Sequence, residues 1–403
     1  VDRWASAGAS MVKHHPRFPH VIVEIETARG CERDVHCTFC TEGMLHGIHF
    51  REATGILNEI AALAGEGTTA FRIGKQPNLF AWPGRRNTAG VTIPDPKAIH
   101  DLFSGIADIV PNLNTLHIDN VNPGFIAANP GPSLEIAETI ARFNTPGDVA
   151  AFGVESVDPI VIAQNNLKSD ETQALQAVEI INRAGAHRDG HSLPKLLPGI
   201  NLLFGLPGES ARTYEANWDF LNRVADKGLL LRRINIRQVM AFPGTPLYRI
   251  LDGKSPRINK VRFKRFKQRV QEQIEGPMLQ SVAPVGTILR RVVLEYRQQG
   301  VTFGRQLASY PLLVGFPMDL PLGTVCDAVV VDHGFRSITA LPFPVPINEL
   351  GRRALASIPG IGIPRAQRIL QHGPYQSLPQ FLAALDDPTI LEPIQSWFQF
   401  PQT

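Results

Sequence analysis

The stretch Cys31-Glu-Arg-Asp-Val-His-Cys37-Thr-Phe-Cys40 places three thiols within ten residues, and the chain's one other cysteine is Cys326. Three thiolates on one tight loop make an open metal site. A cube of four irons and four sulfides ordinarily takes four cysteine ligands. With three, one iron keeps a free coordination position where a small molecule can chelate. The same loop also suits a structural zinc ion, completed by His36 or a distant group. The spacing alone leaves both chemistries open.

A loop of this kind needs a scaffold. His20–Glu26 alternates and is rich in β-branched residues, so it reads as a strand, and Thr27–Gly30 turns it into the cysteines. Apolar residues at helical spacing follow over 51–63 (Ile56, Ile60, Leu63). The alternation then repeats: strands at 69–74, 115–119, 149–155, 199–205 and 233–239, with helices at 96–109, 133–143, 170–184 and 210–225 between them. Six strands alternating with helices require parallel pairing through right-handed crossovers. In barrels of that construction the reactive groups gather at the C-terminal strand ends, where the cysteine loop also falls. Hydrophobic residues make up 43% of the 403 residues and charged residues 19%, as in ordinary globular proteins. Every apolar run is broken by Gly or Pro before the ~18 residues a membrane helix needs. Three of four cysteines in one cluster are no disulfide framework, so a reducing cytoplasm is expected and no membrane partner. The formal charge of +3 names no partner. The chain opens Val1-Asp2-Arg3-Trp4 without an initiating Met, so residues 1–18 are expected to be a linker from an upstream domain.

The strand ends carry further motifs. The second strand is followed by Gly74-Lys75-Gln76-Pro77-Asn78. The third leads to His117, Asp119, Asn120 and Asn122, with His117 equally readable as a core histidine. The fourth reads Phe152-Gly-Val-Glu155-Ser156-Val-Asp158, and the fifth Phe204-Gly205-Leu-Pro207-Gly208-Glu209-Ser210. The sixth gives Pro243-Gly244-Thr245-Pro246. Together with Phe39 just before the last cysteine, this series resembles the radical S-adenosylmethionine (radical SAM) superfamily, and its methylthiotransferase-like cores in particular. The usual family spacing is three residues then two; here it is five then two. The resemblance implies a partial (β/α)6 TIM-like barrel in residues 19–280. It implies a 4Fe-4S cluster on Cys31, Cys37 and Cys40, the catalytic and metal-binding residues. The cluster's open iron would hold S-adenosylmethionine, cleaved reductively to a 5′-deoxyadenosyl radical with electrons from an external ferredoxin- or flavodoxin-like donor. Cosubstrate contacts are implied for Phe39, Gly74, Gln76, Asp119, Glu155, Ser156, Gly205 and Gly208.

Beyond the core, 254–269 holds eight basic residues, Lys264 and Arg265 among them, and no acidic one. Val261, Phe266, Val270 and Ile274 recur at helical spacing there, predicting an amphipathic helix with a cationic outer face. From 281 to 345 short strands with Gly turns predict a small β-barrel; Gly304-Arg305, Tyr310-Pro-Leu-Leu-Val and Gly323 ahead of Ala328-Val-Val-Val resemble the TRAM domain, an OB-like barrel of tRNA-modifying enzymes. Cys326 reads as core in one of these strands. Over 346–403, Leu355–Leu370 with Pro359-Gly360-Ile361-Gly362, then Gly373-Pro-Tyr375, resembles a helix-hairpin-helix module. Its hairpin glycines Gly360 and Gly362 would admit a phosphate, with Arg365 and Arg368 beside it. The whole order resembles an archaeal group of radical SAM proteins. The expectation is an enzyme acting on nucleic acid, tRNA or another structured RNA. The alternative is a protein side chain or small molecule, with the helical tail used for docking. Methylthiolation is not expected from this chain, because a second cluster needs three more cysteines and Cys326 is alone.

Overall fold

The structure is a computed structural model in which residues 1–44 and 47–401 are described. The chain divides into two compact units, Val1–Arg188 with Pro194–Met278, and Asp189–Leu193 with Leu279–Thr403.

The first unit is mixed α/β. Its strands are β1 (Val23–Glu26), β2 (Ala70–Gly74), β3 (Thr115–Ile118), β4 (Asp148–Glu155), β5 (Leu196–Phe204) and β6 (Arg233–Gln238). All pair in parallel, β1–β2–β3 in one ladder and β4–β5–β6 in another. The third strand joins the two. Thr115–Ile118 pairs with β2, and beyond Asp119 the residues Asn120 and Val121 pair with Ala151 and Phe152 of β4. At the handover the Asp119 carbonyl accepts a 3.0 Å bond from the Ala151 N–H. β4 is buried from Asp148 through Val154, as a parallel strand covered on both faces must be.

Helices α1 (Asp2–Ala7), α2 (Ala53–Gly65), α3 (Pro96–Ile109), α4 (Pro130–Phe143), α5 (Pro159–Asn165), α6 (Glu171–Gly185), α7 (Ala211–Asp226) and α8 (Lys260–Val270) accompany these strands. α3 shows how the sequence sets their ends. Pro96 occupies the first turn, and the Asp95 carboxylate accepts from the Ala98 N–H at 3.1 Å. Ile99, Leu102, Phe103 and Ile106 then form the buried stripe. α6 and α7 begin with capping boxes on Asp170 and Ser210.

Two segments take more definite shape than their sequence conveys. Residues 1–18 are folded, as α1 and a 3-10 turn over Ala9–His14, with Ala9 in the core. Arg51 holds them, its guanidinium bridging Asp2 and Glu59 at 2.7 Å each. The basic helix is shorter than its charge run: it starts at Lys260, where the Asn259 side chain caps the Arg262 N–H. Val261 is 60% exposed, and Phe263 takes its inward place beside Phe266, Val270 and Ile274. Arg262 and Arg269 fold back over the Tyr214 and Trp218 rings of α7, at 5.7 and 3.6 Å from the ring centroids. Lys264 and Arg265 face solvent.

The second unit holds a closed five-stranded barrel of β7 (Ile288–Gln298), β8 (Val301–Gln306), β9 (Leu313–Phe316), β10 (Val325–His333) and β11 (Ser337–Phe343), in the cyclic order β7–β8–β9–β11–β10. Pairing is antiparallel except between β9 and β11. Three short helices follow: α9 (Arg352–Ala356), α10 (Gly362–His372) and α11 (Leu378–Ala383). Barrel and tail share one core. Val329, Val331 and Leu341 cluster with Leu355, Ile358, Ile369, Phe381 and Trp397. Val345 and Pro346 also pair in parallel with Phe398 and Gln399, which ties the end of the chain back to the barrel exit.

Candidate functional site

The cysteine loop leaves β1 at the C-terminal edge of the parallel strands, and bonds tie it to the segments that follow the others. Glu32 is the first tie. Its Oε1 accepts from Asn78 Nδ2 and from Asn122 Nδ2, each at 3.0 Å. Asn78 follows β2 and Asn122 follows β3, and the Asn122 N–H donates to Asn78 Oδ1 at 3.1 Å. Arg33 is the second. It donates to the carbonyls of Asn166 (2.8 Å) and Leu167 (3.2 Å), just past α5, and to Cys37 Sγ (3.2 Å). The third is Thr38, whose hydroxyl donates to Asn165 Oδ1 at 2.8 Å while its N–H donates to the Asn165 carbonyl. Asn165 in turn donates to the Pro207 carbonyl after β5. Leu247, after β6, donates its N–H to the Thr38 carbonyl at 2.8 Å. The loop is thus bonded to segments that follow β2, β3, β4 and β6, and through Asn165 to the one that follows β5.

Around Cys37 an apolar shell closes: Val161, Leu167, Leu206, Val239 and Leu247, with Phe39, Cys40 and Leu203 packed against it. Burial pushes the Cys31 thiol up to about 12, and the neighbouring Glu32 carboxylate adds to that. The Cys37 thiol is raised as well, chiefly by burial, with Lys168 and Arg33 pulling the other way and Glu155 and Cys40 adding to the rise. Cys31, Cys37, Cys40, Glu155 and Lys168 thus share one electrostatic neighbourhood. All three loop cysteines are free thiols. Among the described residues, no three His, Cys, Asp or Glu side chains stand close enough together to hold a metal ion. The thiol set fits an iron–sulfur cluster in kind.

Glu155 ends β4 in the left-handed region, at φ +64°, a conformation that costs a non-glycine residue of order 1 kcal/mol or more and is retained where a side chain must be aimed. Burial raises its carboxyl to about 7, with Lys168 and Arg237 opposing. Gly153 makes the room for it. A Cβ there would lie 2.7 Å from Glu155 Oε1 and 3.1 Å from Lys168 Nζ. Gln76 is 2% exposed; its Nε2 donates to the Ile73 carbonyl at 3.2 Å, and its Oε1 has no partner among the described residues.

The remaining expected residues divide. Asp119 is buried at the strand handover, with Asn120 Nδ2 3.2 Å from its Oδ2. Over Gly74 lies the Glu24 side chain, itself paired with Arg72. Ser156 is fully buried and bonded inward, to Asn217 Oδ1 of α7 and to the Asp158 N–H. Gly205 and Gly208 both need positive φ, +94° and +86°, and the Gly205 N–H donates to Glu209, which also accepts from the Tyr214 hydroxyl. In the second unit Gly360 and Gly362 have φ +84° and +62° at the hairpin, but Arg365 and Arg368 converge on Asp386, at 2.6 and 3.5 Å. Sequence reasoning missed Glu32, Arg33, Asn165 and Lys168. The first two were legible as a charged pair inside the cysteine spacing; the others had no local signal.

No family model matches the chain. An uncharacterised protein of Archaeoglobus fulgidus is 42% identical over 349 residues, covering 87% of this chain and 65% of that protein. One of Methanocaldococcus jannaschii is 46% identical over 345 residues, covering 84% and 63%. The chain thus spans just under two thirds of the length of these two relatives. Among solved structures, similarity extends to the radical S-adenosylmethionine methyltransferase TsrM from Kitasatospora setae (TM-score 0.42, 17% identity, 59% of this chain and 39% of that one). It extends also to the cobalamin-dependent S-adenosylmethionine radical enzyme OxsB (TM-score 0.46, 13% identity, 63% and 41%). No helix among the described residues is long and apolar enough to cross a membrane.

Proposed function

We propose that this chain is a radical SAM enzyme whose substrate is a structured RNA. One observation carries the first half: a three-cysteine loop fastened through Glu32, Arg33 and Thr38 to the segments that follow the other parallel strands. In this reading Cys31, Cys37 and Cys40 hold a 4Fe-4S cluster within a partial (β/α)6 barrel. Bound there, the cluster supplies the electron and the open iron position for reductive cleavage of S-adenosylmethionine.

The chain's own residues then divide the work. Arg33 and Lys168 offset the charge of the thiolates that form when the buried thiols lose their protons. Gln76 offers a buried carbonyl oxygen to the methionyl ammonium. Glu155, aimed by its left-handed backbone, accepts from the ribose hydroxyls. Phe39 and the shell of Val161, Leu206 and Val239 keep water from the centre. An RNA base or sugar presented at the strand ends would lose hydrogen to the radical. The exposed cations of α8 and the TRAM-like and helix-hairpin-helix-like elements support that substrate class.

The alternative substrate, a protein side chain or small molecule, draws support from the pairing of Arg365 and Arg368 with Asp386, which engages the hairpin's cations within the tail. The discriminating experiment has two arms. Anaerobically reconstituted protein should release 5′-deoxyadenosine from S-adenosylmethionine, and Cys37→Ala should not; equal release by both rejects the enzyme. Binding of bulk tRNA should weaken steeply with salt; no binding at low salt rejects RNA.

A further inference from the structure

Within the second unit, a groove of about 750 Å³ opens between the barrel strands β8, β9 and β11 and the start of the helical tail. Arg352 and Arg353 are its charged lining groups, and among the described residues no carboxylate lines it. Its floor is Phe303, with Ser337, Thr339 and Ser357 supplying hydroxyls. Gly315 keeps that floor low, since a Cβ there would lie 3.2 Å from the Phe303 ring and 3.3 Å from Val301. Phe303 is stacked on Tyr296, with centroids 5.1 Å apart and planes 19° from parallel. Tyr296 is itself 37% exposed.

The two arginines differ from the pair on the hairpin. Arg365 and Arg368 converge on Asp386. Arg353 instead donates one N–H to the Gln299 carbonyl at 3.0 Å, which fixes the guanidinium and leaves its other donors available. Arg352 is exposed and has no hydrogen-bond or ion-pair partner among the described residues. An aromatic face, hydroxyls and unopposed guanidiniums are the chemistry that holds a single-stranded nucleotide segment: base on ring, phosphate on arginine. An acidic peptide would use the cations but not the stacked rings, and a neutral apolar ligand would leave the cations unused. The volume suits roughly one to two nucleotides.

We propose that this groove seats an unpaired RNA segment, with a base on Phe303 and its phosphates on Arg352 and Arg353. The proposal rests on the RNA reading above for its substrate class, and moves the contact from the hairpin glycines to the barrel wall. It is tested with the full chain, bulk tRNA and a ten-nucleotide oligouridine carrying one 2-aminopurine. Wild-type protein should quench the 2-aminopurine by stacking. Phe303→Leu, which keeps an apolar floor, should abolish the quench and weaken oligonucleotide binding about tenfold. Arg352→Gln should lower the slope of log affinity against log salt by about one. If wild-type protein binds tRNA while both variants bind and quench like wild type, the groove is not the site and the RNA reading survives. If wild-type protein binds neither RNA at low salt, both readings fall. If an acidic peptide competes with the oligonucleotide while the quench is absent, the groove is a protein-docking surface and the proposal is overturned.

Discussion

Glu32→Ala is the sharpest perturbation of the cysteine loop. The carboxylate accepts from two amide groups whose residues, Asn78 and Asn122, are 2% and 4% exposed. A hydrogen bond to a charged acceptor contributes about 1.5–3 kcal/mol, and Glu32 is only half-buried, so water will recover part of the loss. Taking about 2 kcal/mol for the pair of bonds, and tenfold per ~1.4 kcal/mol, local opening of the Cys31–Cys37 arm should become about 30-fold more frequent. The assay is maleimide labelling of the metal-free protein under anaerobic conditions, read by mass spectrometry at each cysteine. Cys31 is a poor reporter, because removing the adjacent carboxylate also makes its thiol more acidic. Cys37 is the right one. It is 5% exposed and must open to react, and the charges acting on it come from Lys168, Arg33, Glu155 and Cys40. With Cys326 as internal reference, the Cys37 rate should rise about 30-fold in Glu32→Ala and less in Glu32→Gln, which keeps a carbonyl acceptor. A Cys37 rate within twofold of wild type in Glu32→Ala would refute the idea that Glu32 fastens the loop.

Three further outcomes follow from the structure. After anaerobic reconstitution, Cys31→Ala, Cys37→Ala and Cys40→Ala should each lose most of the bound iron by colorimetric assay while Cys326→Ser retains it; equal retention across the four would unseat the ligand assignment. The Glu155 carboxyl, raised from an ordinary value of 4.5 to about 7, contributes stability that is full below 4.5 and disappears as pH rises through 7. The denaturation midpoint of wild type relative to Glu155→Gln should therefore fall between pH 4.5 and 7, and a flat or rising difference contradicts the burial argument. Gly153→Ala puts a methyl group against the tips of Glu155 and Lys168. Both are the far ends of flexible side chains, so stability should change by less than about 1 kcal/mol while S-adenosylmethionine affinity by calorimetry drops roughly tenfold; unchanged affinity would remove that pair from the site.

Much of the first unit was legible because hydrophobic period and turn chemistry agree there. Helix 96–109 was bounded correctly by Asp95-Pro96 at one end and the apolar stripe along it. What escaped were features set by tertiary contact. Val261 and Phe263 are both apolar and two residues apart, and only packing against Phe204 decides that the ring goes in. In the barrel, Arg290 and Arg291 interrupt the apolar pattern, yet one strand, Ile288–Gln298, runs through them. Arg291 takes a left-handed φ of +56° inside a bulge, and its N–H donates to Asp327. The switch of the third strand from β2 to β4 at Asp119 has no sequence signature. Of the candidate site, the cysteine cluster stood out by residue type and spacing, and Glu155 by its resemblance to a known motif. Lys168 did not, because its role depends on Gly153, which is distant in sequence.

The ties of the cysteine loop also fix when it can form. Arg33 waits for the Leu167 carbonyl, 134 positions downstream, and Thr38 waits for Leu247. During synthesis the loop emerges before these anchors, the last of which is Leu247. Contacts of such sequence separation close late. The three thiols therefore lack their final anchor until Leu247 has been synthesised.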